Sequence, residues 1–307
     1  METVLITGGT GLIGQELTRL LSEVGHQVIV MSRQRPPATS PNPQVRYAQW
    51  DVKNQSLDLN ALQDADYIVH LAGAGVADQR WTASRKQEII NSRTRSSNLL
   101  VDMLSRHPNK VKKVVSASGI GFYGESYTKS FVEDDVPADD FLGTTCVAWE
   151  NSIKPVQDLG KKLVIFRTGI ALSRAGGALY EFYRPLRLGV AAILGSGEQW
   201  VSWIHIHDLV RLYLNAIMND NLEGTFNAVA PTPVTNEQLV LSMAHAARNK
   251  SFVPVHTPAF ALKIILGEMS VEVLKSCKVS SQKMEATGFQ FSYPVIDEAM
   301  DQLFKQG

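Results

Sequence analysis

The densest group of chemistry-bearing positions is Thr7-Gly-Gly-Thr-Gly-Leu-Ile-Gly14. Glycines at 8, 11 and 14 suit a turn whose backbone closes on a pyrophosphate and then packs a helix against a sheet. The opening turn of that helix offers free N–H groups and its positive dipole end. Gly8, Thr10, Gly11, Leu12, Ile13 and Gly14 are therefore expected to hold the phosphates of a dinucleotide. A glycine triplet alone is weak; its setting, after the apolar run Val4-Leu-Ile6 and before an amphipathic stretch, makes it specific.

The next apolar run ends Met31-Ser32-Arg33. Sites for NAD usually carry an acidic residue here, on the ribose 2′-hydroxyl. This chain has none, and Arg33 can pair with a 2′-phosphate, so NADP(H) is the expected cofactor. Asp51, in Trp50-Asp51, is placed for an adenine contact. Leu71-Ala72-Gly73 offers small residues against which a cofactor can lie.

Positioning these residues requires alternating strands and helices. Val4–Ile6, Val28–Met31, Val45–Trp50, Tyr67–Leu71, Val114-Val115 and Leu163–Phe166 read as strands, most of them near-continuous apolar runs buried on both faces. Leu12, Ile13, Leu17, Leu20, Leu21 and Val24 keep a helical period, and a long helix is predicted from Thr82 to Ser105, before Pro108. Arg35–Pro43 is a proline-rich loop. Lys110, Lys112 and Lys113 read as a solvated approach to a strand. Glycines at 176, 177, 189, 195 and 197 indicate loops and short helices over 173–202. A strand then follows at Val201–His205, a helix from Asp208, a strand at Thr225–Val229 and mostly helix after Pro233. The expected fold class is α/β, a Rossmann doubly wound parallel sheet over 1–170 and 201–231. A smaller, mostly helical substrate region is expected from 171–200 and 232–307.

Bulk properties exclude several classes. The chain has 307 residues, with 30 Lys plus Arg against 30 Asp plus Glu. That balance gives no general surface for nucleic acid or an acidic membrane. No uninterrupted apolar stretch reaches bilayer length, and Val4 begins a strand where a signal peptide would lie. Cys146 and Cys277 have no zinc-like spacing, so a reducing, cytoplasmic setting is expected. His205 and His207 fall two apart on a strand, but zinc needs three or four ligands and no second cluster is visible, so no metal is expected.

Together, the glycine loop, His70-Leu-Ala-Gly73, Ser116-Ala-Ser118 and Trp203-Ile-His-Ile-His-Asp208 resemble the extended short-chain dehydrogenase/reductase superfamily. Arg80-Trp81, Ser92-Arg93, Trp149-Glu150, Arg184-Pro-Leu-Arg187 and Gly288-Phe-Gln-Phe narrow the resemblance to its atypical, sugar-epimerase-like "epimerase family" with a distinctive C-terminal domain. The resemblance implies cofactor contacts at Ser32, Arg33, Leu71, Ala72, Arg93, Ile170 and Ala171. It makes His205 and Asp208 framework residues near the pocket.

The superfamily's usual engine is a Ser, a Tyr and a Lys four residues after the Tyr. Anchoring on Glu150 places Leu142 at the tyrosine position and Cys146 at the lysine position, so the engine is missing. Ser118 matches the serine, and Tyr123 is the nearest phenol; these are the candidate catalytic residues. The leading expectation is an NADP(H)-dependent oxidoreductase acting on a small molecule, with Arg80-Trp81 in a loop placed to cover it and Arg184 and Arg187 suited to an anionic one. A nucleotide-sugar epimerase and a non-catalytic NADP-binding sensor or interaction protein stay open as alternatives, as does the oligomeric state.

Overall fold

A computed structural model describes residues 2–34, 40–248 and 251–305; residues 35–39 of the proline-rich loop lie outside them. The chain begins β1 (Thr3–Thr7), α1 (Leu12–Glu23), β2 (Gln27–Ser32), β3 (Val45–Asp51), β4 (Ser56–Leu57), α2 (Leu59–Asp64) and β5 (Tyr67–His70). Then come α3 (Ala83–Arg106), β6 (Lys113–Gly119), β7 (Ser126–Phe131), α4 (Phe141–Ile153), β8 (Lys162–Thr168) and β9 (Ile170–Leu172). The middle contains α5 (Ala178–Leu186), β10 (Val190–Leu194), β11 (Trp200–Val201), β12 (Trp203–His205), α6 (Ile206–Met218) and β13 (Gly224–Ala228). The remainder is β14 (Val234–Thr235), α7 (Asn236–Arg248), β15 (Val253–Thr257), α8 (Ala259–Leu266), α9 (Ser270–Leu274), β16 (Cys277–Val279), α10 (Gln282–Glu285) and α11 (Ile296–Lys305).

The main sheet runs β13-β8-β6-β5-β1-β2-β3-β4, parallel except for β4 against β3. The order reverses between β1 and β5, the switch point where doubly wound sheets bind ligands outside the strands' carboxyl ends. One core layer joins α1 and α6 to the sheet through Leu17, Leu21, Leu209, Tyr213 and Phe166. The opposite layer packs α2 and α3 through Leu62, Leu99, Leu100 and Leu104. Apolar strands thus have both faces covered, as their composition predicts.

The expected strand at Val201–His205 is broken at Ser202. Its hydroxyl donates to the Cys277 carbonyl and accepts from the Val279 N–H, so β11 and β12 diverge into separate sheets. β11 joins β14, β16 and β7, so a strand from inside the first half serves the smaller region. β12 pairs with β9, and β10 with β15. The expected solvated lysine run also needs correcting. Lys113 is 1% exposed and its ammonium donates to the Ala216 and Asn219 carbonyls, closing the C-terminal end of α6.

Two buried histidines tie these layers together. His70 bridges Thr7 on β1 (2.7 Å) and Ser97 on α3 (3.0 Å). Ser97 donates its own proton to the Arg93 carbonyl, so His70 donates from Nε2 and accepts from Thr7 at Nδ1. His205 accepts the His207 N–H at Nδ1 and donates from Nε2 to Gln302 on α11. Burial lowers the folded-state pKa of His70 to about 3 and that of His205 to about 4, from an ordinary 6.5. The unfolded chain therefore takes up protons that the folded chain refuses, and stability falls as pH drops below about 6.5. The expected slope is about 1.4 kcal/mol per pH unit for each histidine. Urea unfolding between pH 7 and 5 should show both, and His70→Gln should remove one; an unchanged slope in that variant would refute the assignment.

Candidate functional site

The glycine turn after β1 is built from backbone touching backbone. Gly8 has φ +71°, and a Cβ there would lie 2.8 Å from the Leu71 carbonyl carbon. A Cβ at Gly14 would lie 2.4 Å from the Gly8 carbonyl oxygen, so α1 can seat on the turn only with glycine at 14. Gly11 is the N-cap of α1 and supplies no side-chain acceptor; the first helical bond is Gln15 N–H to Gly11 carbonyl. The N–H groups of Leu12, Ile13 and Gly14 are thus left for a ligand, and the donor set fits a diphosphate. Thr10 is exposed beside them, its carbonyl accepting from the Gln15 amide. The loop after β9 lies over this turn: a Cβ at Gly177 would sit 3.3 Å from Leu12 Cδ2.

The carboxyl ends of β2, β3 and β5 fall side by side with this turn. Ser32 closes β2, with Arg33 exposed just beyond it. Asp51 closes β3, but its carboxylate accepts from Lys53 N–H, Asn54 N–H and the Asn54 amide, turning the chain into β4. Leu71 and Ala72 follow β5 half-buried, and Gly73 follows them exposed. Gly73 has a second constraint, since a Cβ there would lie 3.1 Å from the Arg93 guanidinium carbon. Arg93 on α3 is 8% exposed, donates to the Ala74 and Ile89 carbonyls and stacks at 4.8 Å over Trp149. Burial lowers its pKa to about 10, so it stays charged at neutral pH. Ile170 and Ala171 lie half-buried on β9.

Ser118, at the carboxyl end of β6, donates to Glu150 at 2.8 Å. Glu150 on α4 is held by both forks of Arg167 on β8, at 2.8 and 3.0 Å. The other arm of Arg167 donates to the Tyr123 hydroxyl at 3.0 Å and to the Glu133 carbonyl. Tyr123 donates in turn to Asn227 at 2.7 Å and is 0% exposed. Burial pushes its pKa up to about 12. Its hydroxyl thus accepts from one buried partner and donates to another. Leu142 packs against Gly121, and the Cys146 thiol faces the Gly119 carbonyl at 3.6 Å, so both residues line the same strand end as Ser118. Burial, reinforced by Glu150, raises the Cys146 pKa to about 11.

Other sequence candidates lie apart from this group. Both ring nitrogens of His205 are taken up by the bonds described above. Asp208 is buried, accepting from the Ser292 and Tyr293 N–H groups. Among the described residues no cluster of three or more His, Cys, Asp or Glu could hold a metal ion, and no helix is long and apolar enough to cross a membrane. Arg80 donates to the carbonyls of Ile264 and Ile265, and Arg184 pairs with Glu181 on the surface. Sequence spacing does not single out Arg167, Asn227 or Glu133. The readable signal was an arginine inside the apolar run Leu163-Val-Ile-Phe-Arg167, which must find a buried carboxylate.

Residues 4–145 match the NAD dependent epimerase/dehydratase family, and residues 257–303 match a domain of unknown function, DUF1731. An "Epimerase family protein" of Staphylococcus saprophyticus is 34% identical over 99% of both chains. The Bacillus subtilis "Epimerase family protein YfhF" is 33% identical over 98% of this chain and 97% of its own. Among solved structures, human epimerase family protein SDR39U1 (isoform2) with NADPH is similar at TM-score 0.86 and 29% identity, covering 99% of this chain and 100% of that one. UDP-N-acetylglucosamine 4-epimerase from Bacillus cereus, at 20% identity and TM-score 0.76 over 99% and 98% of the two chains, shares the fold. With a Rossmann sheet carrying the glycine turn and a DUF1731 segment near the end of the chain, this protein belongs to the epimerase family, as an atypical extended short-chain dehydrogenase/reductase.

Proposed function

We propose that this chain is an NADP(H)-dependent oxidoreductase acting on a small molecule without a Tyr/Lys pair. One observation carries the choice of cofactor: the glycine turn keeps its close backbone contacts, and β2 leads through Met31-Ser32 to exposed Arg33, a strand end whose sequence has no carboxylate. The NADPH in the human relative's structure supports it. In this reading Gly8, Thr10, Gly11, Leu12, Ile13 and Gly14 hold the diphosphate, and Ser32 with Arg33 holds the 2′-phosphate. The backbone of Asp51 lies beside the adenine, its carboxylate being occupied. Leu71, Ala72, Gly73, Ile170 and Ala171 form the apolar bed, and Arg93 supplies a fixed positive charge. When bound, the nicotinamide supplies hydride chemistry.

Ser118 orients substrate, and turning its hydroxyl toward a substrate oxygen costs its bond to Glu150. Tyr123 serves as framework. The similarity to nucleotide-sugar enzymes at 20% identity concerns the fold, and Leu142 and Cys146 supply no phenol or ammonium for an epimerase's proton transfer.

Three outcomes are expected. Arg33→Ala should weaken NADPH binding, read by nicotinamide fluorescence, by about tenfold to a hundredfold, the worth of one charge-assisted contact. NADH binding should not change; equal losses for both would remove the NADP preference. Tyr123→Phe should lower the unfolding free energy by about 1–3 kcal/mol, by stranding buried partners, with NADPH affinity intact. A turnover loss without a stability loss would restore Tyr123 as a proton carrier. Supplied with NADPH and a panel of carbonyl compounds, the protein should consume the cofactor with at least one of them, and Ser118→Ala should slow that turnover. Tight NADPH binding with no turnover across the panel would favour a non-catalytic sensor.

A further inference from the structure

A cavity of about 450 Å³ lies between α1, the loop after β9, the start of α6 and α11. That is room for one small molecule. Glu16 and Arg19 line it from α1, and Ser173 and Arg174 from the loop after β9. His205 and His207 line it at the start of α6, Tyr293 just before α11 and Gln302 on α11. None of these residues is among those assigned to the dinucleotide.

On the α1 side the charges are spent: Arg19 pairs with Glu16 and also with Glu23. Arg174 differs. Its Nη1 donates to the Leu303 carbonyl at 3.2 Å and its guanidinium lies 5.4 Å from the Phe304 ring centre. Its Nε and Nη2 have no acceptor, and its charge no carboxylate, among the described residues. The next residue back from its anchor is Gln302, whose orientation is set by His205. His205 is 2% exposed and accepts the His207 N–H at Nδ1, so its proton is on Nε2 and goes to Gln302 Oε1. The amide oxygen is thereby turned to His205, and the Gln302 NH₂ group is left beside Arg174 without a protein acceptor among the described residues. The Tyr293 ring lies 4.1 Å from His205 and meets His207 edge-on at 6.1 Å. The Tyr293 hydroxyl and the His207 ring nitrogens are also without a hydrogen-bond partner among the described residues.

A guanidinium with two free N–H edges next to an amide NH₂ group matches the two oxygens of a carboxylate. Two aromatic faces beside them match a flat ring. We infer that this cavity binds a small carboxylate bearing an aromatic ring, at a site separate from the dinucleotide. Arg174 and the Gln302 amide take the carboxylate, and Tyr293 and His207 take the ring. His205 is then a positioning residue, because its tautomer decides which end of Gln302 faces the ligand. The inference is independent of the oxidoreductase reading, since it draws on no residue of that site.

The test is saturation-transfer NMR with benzoate on the full chain, in excess NADP⁺ so that the dinucleotide site is closed to the probe. Benzoate should show contact signals from its ring protons. Arg174→Gln should weaken its binding by about tenfold or more, the worth of one charge-assisted contact. Gln302→Glu keeps an acceptor for His205 but sets a carboxylate beside Arg174, so it should weaken benzoate by a similar factor through like-charge repulsion and the loss of a free cation. That second variant serves if the first melts early. Ser118→Ala should leave benzoate affinity unchanged, and inorganic phosphate should displace benzoate only weakly. No benzoate signal, or binding that both cavity variants leave untouched, would overturn the inference. Displacement by phosphate at equal concentration would overturn it too, leaving a plain anion site.

Discussion

Arg167 and Glu150 face each other inside this protein with side chains 6% and 4% exposed, and much of the site's geometry follows from keeping them paired. Desolvating either charge costs several kcal/mol, recovered only with good geometry and with the remaining donors satisfied. Both conditions are met: two forked bonds to Glu150, one to Tyr123 and one to the Glu133 carbonyl. Asn227 extends the network by accepting from Tyr123 and donating its backbone N–H to Glu133. The Asn227 amide also donates to the Ser280 carbonyl, beyond β16. One ion pair therefore fixes β8, α4, the end of β6, β13 and the C-terminal segment relative to one another.

Rigidity of this kind has a chemical consequence. The Ser118 proton points at Glu150, the Tyr123 phenol is closed in with a pKa near 12, and the Cys146 thiol is raised to about 11. Tyr123 and Cys146 keep their protons at neutral pH, as does the Arg93 guanidinium. The arrangement therefore presents fixed hydrogen bonds and a fixed charge, with no titration of these groups near neutrality. Leu142 and Cys146 sit beside Ser118 in a neighbourhood whose phenol, Tyr123, is already engaged by Arg167 and Asn227.

The doubly wound sheet was legible because its strands are buried on both faces and its first helix keeps a clear period; Leu17 and Leu21 fall in the core where periodicity puts them. The smaller region was less legible because its pairings are short and distant. Val190–Leu194, bracketed by Gly189 and Gly195, reads locally as a loop, and becomes a strand through Val253–Thr257, far along the chain. Ser126–Phe131 has mostly exposed residues and no alternation, and is a strand only because Cys277–Val279 lies beside it. Of the site, the glycine turn was legible because its constraint is local. The roles of Tyr123 and Lys113 were not, since each is decided by partners about a hundred residues away, Asn227 for one and Ala216 for the other.

Arg93 sharpens what the site is built to receive. Arg167 is as deeply buried but has a carboxylate; Arg93 has two backbone carbonyls and the face of Trp149, with no carboxylate in ion-pair contact among the described residues. Carbonyl dipoles and an aromatic face offset part of the cost of burying a guanidinium, and they leave its charge uncancelled. That charge also contributes, after burial itself, to holding His70 neutral on the neighbouring strand. A positive potential set against Gly73, where a Cβ would press to 3.1 Å of it, favours electron-rich groups arriving at the carboxyl end of β5. The uncancelled charge of Arg93 thus lies by the carboxyl end of β5, next to the end of β1 that leads into the glycine turn.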